Sequence, residues 1–151
     1  MRRKDREMSP EFGYEVADGT LFGVLSLIDP EGNPYGVPVS LVREGESFYF
    51  HCANEGFKLD CLRKNPHVCI TCVGDVTLVP EQFSANYSSA IFRGMAQEVR
   101  KIEEKKKVLT LIVDRYAPSN IANMGGEVSG EMPNTSIWKI VVHDVTAKAK
   151  K

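Results

Sequence analysis

The chain has no surplus of charge of either sign. Nineteen lysines and arginines stand against twenty aspartates and glutamates, for a net charge of −1. No broad basic field is available to neutralise a nucleic-acid backbone. The cationic clusters at residues 1–6 and 148–151 read as solvated ends. Long apolar runs are also missing. LFGVLSLI at 21–28 is too short to span a bilayer, and MRRKDREM runs into polar residues where a secretory signal would need an apolar core. These absences suggest a cytoplasmic protein without a membrane segment. Cysteine is scarce: the four, Cys52, Cys61, Cys69 and Cys72, are expected as thiols in that compartment. Cys69 and Cys72 have the spacing of a zinc pair, but they lie inside VCITCVGDVTLV. Strand positions three apart face opposite sides, so core packing is the expected role. There is no evident catalytic triad, no internal repeat and no linker. The 151 residues, 42% of them hydrophobic, suffice for one domain with a core.

Along that domain, residues 1–19 are polar and suggest a partly loose segment with at most a short helical turn. TLFGVLSLID (20–29) reads as a strand, DPEGNP (29–34) as a turn, and YGVPVSLVR (35–43) as the next strand. Pro38 offers no donor, so it belongs on an edge or at a bulge. SFYFHC (47–52) alternates, with Phe48, Phe50 and Cys52 on one face and Tyr49 and His51 on the other. A short helix at about 57–64 ends before Asn65–Pro66. Strands follow at 67–79 and 89–99, separated by a connection at 80–88. Ile102, Leu109, Ile112, Val113 and Tyr116 mark a helix at about 101–116, whose charged run faces water. Residues 117–135 read as a long loop, and 136–149 as a final strand. Pattern alone gives an α+β, mainly β protein built on an antiparallel sheet or barrel.

One stretch, FYFHCANEGFKLDCL (48–62), raises a chemical question. A helix start carries partial positive charge and favours acidic residues, yet Lys58 sits in the first turn. Gly56 before it permits close backbone approach. Two readings fit. Lys58 either lies in solvent beside an ordinary turn, or shares an anion such as a phosphate with the free N–H groups of the helix start.

Five segments in order carry a resemblance: GNPYGVPVSLV (32–42), YFHCANEGFKLDCLRKNPHVCI (49–70), YSSAIFRGMAQEV (87–99), EEKKKVLTLIVDRYAP (103–118) and TSIWKI (135–140). Together they resemble the pyridoxamine 5′-phosphate oxidase-like FMN-binding split-barrel proteins, in particular the branch containing the nitroimidazole-resistance proteins. The resemblance covers residues 20–149, and the amino-terminal helix usual in that branch looks shortened. It implies an antiparallel six-stranded split barrel with short helices, and a homodimer holding FMN at the subunit interface. By the same resemblance, Lys58 corresponds to the phosphate-binding lysine, with Gly56 beside it. Val37, Pro38, Val39, Ser40 and Leu41 would lie along the isoalloxazine ring. His51, Cys52 and Ala53 would flank the ribityl chain and phosphate. Ser88 and Ser89 would reach the flavin from the partner subunit, and Trp138 or the loop before it would cover part of the site. The arginine that usually precedes the lysine is Phe57 here, which counts against pyridoxamine phosphate oxidation itself.

Plainer roles stay open beside these. Trp138 fits a core or interface packer, His51 an interface histidine, and Tyr87 a loop closure. A flavin brings its own electron chemistry, so the protein needs only to bind, orient and tune it. Ser40 and the backbone of residues 39–41 are candidates for stabilising reduced flavin, and His51 for donating a proton to a substrate. The resemblance implies an FMN-dependent oxidoreductase, for instance a nitroreductase passing electrons to a small nitroaromatic acceptor. A non-catalytic flavin- or haem-binding module is the alternative from another class, and a cofactor-free dimeric scaffold a third. FAD or a deazaflavin would use the same features as FMN.

Overall fold

Alternation dominates the chain and produces a single antiparallel sheet. The computed structural model describes residues 2–123 and 132–150. Its strands are β1 (Glu7–Met8), β2 (Phe22–Ile28), β3 (Pro34–Ser40), β4 (Val42–Glu44), β5 (Ser47–Ala53), β6 (His67–Val79), β7 (Ser84–Val99) and β8 (Thr135–Lys150). Their order is β3-β2-β6-β7-β8-β5-β4, with β1 added beside β8. Six strands have seven residues or more and correspond to the six expected; β1 and β4 are short additions. Three α-helices pack on this frame: α1 (Pro10–Gly19), α2 (Phe57–Lys64) and α3 (Ile102–Tyr116).

The two edge strands are consecutive in the chain. Only Leu41 separates β3 from β4, so a covalent corner joins the edges and no ladder pairs them. This is the split in the barrel, and it divides the single strand expected at 35–43. Tyr116, at the end of α3, seals the corner. Its hydroxyl accepts from the Leu41 N–H at 3.0 Å and stands 2.8 Å from the Leu41 carbonyl and 2.9 Å from that of Leu21. Pro38 is tolerated because β3 has a neighbour on one side only.

Phe48, Phe50, Phe92, Leu25, Ile70 and Ile140 are almost fully buried inside the barrel, and burial of each side chain contributes about 1.5–3 kcal/mol. A second cluster, including Val42, Tyr49, Val99 and Ile137, lies beneath Val108, Leu109 and Ile112 of α3. Alternation along β5 explains both: Phe48 and Phe50 serve the barrel, Tyr49 the second cluster.

Three expectations need correction. The amino-terminal segment forms a ten-residue helix where only a short turn was expected. Ser9 caps α1 by accepting from the Phe12 N–H at 3.3 Å, and Pro10 occupies its first turn. Val16 and Ala17 are buried, and Tyr14 packs on Phe92 at 5.2 Å. At the other end, the Arg115 guanidinium donates to the carbonyls of Asp18 at 2.9 Å and Thr20 at 2.6 Å. Second, β7 begins at Ser84. Residues 84–87, read as connection, pair with β6 through a hairpin in which Phe83 adopts a left-handed conformation. Third, Ile102 is 59% exposed, because the first residue of α3 overhangs the second cluster. The long loop expected at 117–135 includes residues 124–131, outside the described residues; on either side lie tight helical turns at Pro118–Asn123 and Met132–Asn134.

Candidate functional site

β5 delivers His51, Cys52 and Ala53 to the start of α2, and the turn 54–56 between them is pinned from three directions. The Asn54 side-chain amide donates to the Pro133 carbonyl at 2.8 Å, Ser136 Oγ donates to Asn54 Oδ1 at 3.0 Å, and Arg63 donates to the Asn54 carbonyl at 3.3 Å. Asn54, Arg63 and Ser136 are positioning residues that sequence reasoning missed. A turn-forming asparagine was visible, but its partners lie 9, 79 and 82 residues away.

Gly56 caps α2 at φ +131°, a conformation that L side chains rarely adopt, and a Cβ there would meet nothing within 4 Å. The helix therefore starts beneath open space, and its first N–H groups have no acceptor within the helix. Lys58 is half-buried over this start. Its Nζ lies 5.1 Å from the Phe50 ring centroid, and no carboxylate pairs with it among the described residues. The Gly56 carbonyl accepts from the Leu59 and Asp60 N–H groups, so the N–H groups of Phe57 and Lys58 are the ones left at the positive end of the helix.

The same charge marks its neighbours. Partial burial pulls the His51 imidazole below its ordinary value, and the Lys58 ammonium lowers it further. His51 is thus mainly neutral at pH 7. Burial pushes the Cys52 thiol up, with Lys58 and Arg63 opposing. Cys72 is pushed up to about 11 by burial. Cys69 is half-buried and Cys72 buried, on opposite faces of β6.

Along β3, Val37 and Val39 face the core while Pro38 and Ser40 lie on the outer face, opposite Val24 and Phe22 of β2. The Tyr35 ring meets Phe57 edge-on at 5.1 Å and so ties β3 to α2. Leu41 already has its N–H and one carbonyl lone pair engaged by Tyr116, which leaves residues 37–40 as the freer backbone. Trp138 is 4% exposed, pairs across the sheet with Phe50, and belongs to the core; its Nε1 has no hydrogen-bond partner among the described residues. Such an unmet buried donor costs about 1–3 kcal/mol.

Ser88 and Ser89 are not brought to this cluster within one protomer. They pair with Ala149 and Lys148, at the far end of β8 from Ser136 and Thr135. Ser89 and Val99 stand ten positions apart on β7, roughly 33 Å of strand. The two serines also face opposite sides: Ser89 lies opposite Val73 of β6, and Ser88 lines a hollow under α1 with Phe12 and Val16.

The model of the pyridoxamine 5′-phosphate oxidase family matches residues 14–149. The chain belongs to this family. Among solved structures, a candidate 5-nitroimidazole antibiotic resistance protein from Bacteroides thetaiotaomicron is 26% identical, with a TM-score of 0.76 over 96% of this chain and 90% of that one. An FAD-binding protein from Mesorhizobium loti is 18% identical, with a TM-score of 0.68 over 97% and 98% of the two chains. The haem storage protein of Vibrio cholerae is 18% identical, with a TM-score of 0.70 over 93% and 94%. The last two show shared architecture, that of the split barrel. No curated protein matches the sequence significantly. No helix among the described residues is long and apolar enough to cross a membrane.

Proposed function

We propose that the protein is an FMN-dependent oxidoreductase that works as a homodimer and passes electrons to small nitroaromatic acceptors. The observation that carries this reading is the unpaired Lys58 ammonium at the Gly56-capped start of α2, which fits a terminal phosphate. FMN supplies the electron transfer when bound. Lys58 and the first N–H groups of α2 hold the phosphate. Val37, Pro38, Val39 and Ser40 offer an edge backbone to the polar rim of the ring, with the outer face of β2 beside it. His51, Cys52 and Ala53 border the chain between ring and phosphate. His51 is the proton donor of this reading. A bound phosphate offsets the Lys58 charge, the smaller of the two causes that lower the imidazole pKa, so that part of the depression is relieved when the site fills.

Dimerisation has two supports. Phe22 and Val24 on β2 and Val73 on β6 are 59%, 44% and 52% exposed, an apolar surface suited to a partner. Ser89 lies opposite Val73 on that same surface, where it would meet the site of a partner subunit. The 26%-identical relative motivates the nitroaromatic acceptor. A haem-binding module is the competing reading, motivated by the Vibrio relative.

The test is the visible spectrum of the purified protein and of the supernatant after heat release, followed by nicotinamide-dependent reduction of a nitroimidazole. Flavin bands with released FMN and turnover are expected. A haem spectrum, or failure to take up added FMN, would overturn the proposal.

A further inference from the structure

The two basic clusters, remote in sequence, meet in space. β1 pairs with β8, Glu7 opposite Lys148, and this ladder folds Arg2, Arg3 and Arg6 against the last strand. With Tyr87 of β7 they line a cleft of about 250 Å³. Four cations converge there: Arg2, Arg3, Arg6 and Lys148. Among the described residues one carboxylate answers them. Asp5 accepts from Arg3 Nε at 2.7 Å and lies 4.0 Å from Arg6 Nε. The Arg6 side chain is only 26% exposed, yet its remaining partner is the Tyr87 hydroxyl at 3.4 Å. Lys148 Nζ stands 5.3 Å from the Tyr87 ring centroid with no carboxylate partner. A largely buried guanidinium with so few acceptors is costly unless an anion joins it. The phenol responds to the same field: the Arg6 hydrogen bond, then the nearby Lys148 and Arg6 charges, pull its pKa below the ordinary value.

Tyr87 is also a wall of a second hollow, about 320 Å³, lined by Phe12, Asp75, Thr77, Asn86, Ser88 and Lys150. The two spaces adjoin at its ring and together have the size of a small-ligand site. One is cationic, while the other combines an aromatic ring and neutral hydrogen-bonding groups with one acid, Asp75, and one base, Lys150.

We propose that this cleft binds a small phosphorylated molecule, its phosphate among Arg2, Arg6 and Lys148 and its body in the hollow beside Phe12. A phosphate monoester carries about −1.5 to −2 charges at neutral pH, which suits the cation excess better than one carboxylate does. Guanidinium forks and an ammonium match its oxygens. The site is separate from the Lys58 seat and does not depend on the flavin reading.

Calorimetric titration of the whole protein with inorganic pyrophosphate tests it, alongside the double variant Arg2→Gln/Lys148→Gln and the single variant Lys58→Met. The two residues of the double variant are polar surface positions that contribute nothing to the core, and a thermal melt verifies that each variant is folded. In Lys58→Met, which removes the other anion seat, pyrophosphate should still bind at the cleft, and it should bind roughly tenfold or more weakly to the double variant. Resonances of Arg6 and Tyr87 should move on titration. No binding, binding lost in Lys58→Met, or unchanged binding in the double variant would overturn the cleft. Citrate bound as tightly as pyrophosphate would overturn the phosphate class.

Discussion

Replacing Lys58 by Met keeps the aliphatic stem and removes only the charge. In this structure the ammonium has no carboxylate partner among the described residues, so no counter-charge is stranded. The ammonium lies 5.1 Å from the Phe50 ring centroid, an interaction of about 0.5–1 kcal/mol. That loss is small against the roughly 5–15 kcal/mol that hold a domain folded, so the variant should fold. FMN binding should suffer more. A charge-assisted hydrogen bond to phosphate is worth about 1.5–3 kcal/mol, which corresponds to about ten- to a hundredfold in Kd. The assay is fluorescence titration of the flavin-free protein with FMN and, in parallel, riboflavin, which has no phosphate. FMN should weaken by that factor while riboflavin stays unchanged. Equal FMN affinity in wild type and variant would refute the phosphate seat. An equal loss for both flavins would mean that Lys58 acts on the ring or the local fold instead.

Other perturbations probe the frame and the histidine. Tyr116→Phe removes the hydroxyl that serves Leu41 and Leu21, leaves the Leu41 N–H unmet, and should cost about 1–3 kcal/mol in urea unfolding; a change near zero would show that water replaces the phenol. Gly94→Ala should be at least as damaging, about 1–3 kcal/mol or more, because its Cβ would clash with the Val141 backbone carbonyl at the irregularity between β7 and β8; a calorimetric melt decides it. His51 should titrate below 6.5 by NMR and move upward in Lys58→Met, with His51→Gln identifying its signal. Since its folded pKa is depressed, the native state binds fewer protons than the unfolded one below pH 6.5, and this contribution to stability is lost as pH falls through the folded value. A midpoint at or above 6.5 would contradict the burial and charge argument.

The strand pattern was legible because alternation is local: 67–79 and the helix at 57–64 coincide with β6 and α2. The strand–turn–helix stretch that carries Lys58 was legible for the same reason, since its parts are contiguous. The helix α1 was hidden by polar composition, although Ser9–Pro10 was a start signal present in the text. The extension of β7 to Ser84 was not legible, because Ser84, Asn86 and Ser88 gain strand character only through the partner β6 supplies. The convergence of the basic ends was equally invisible. They read as solvated, and only the β1–β8 ladder brings Arg6 and Lys148 together.

β8 is hydrogen-bonded to β1, β5 and β7, so it is the common neighbour of strands laid down much earlier. During synthesis, β5 and β7 each have an unpaired edge until residues 135–150 leave the ribosome. Contacts over such separations carry loop-closure entropy and slow the rate-limiting step. The nascent protein must therefore wait, with open β edges, for its last strand. This interval is where a chaperone would matter most and where aggregation competes with folding.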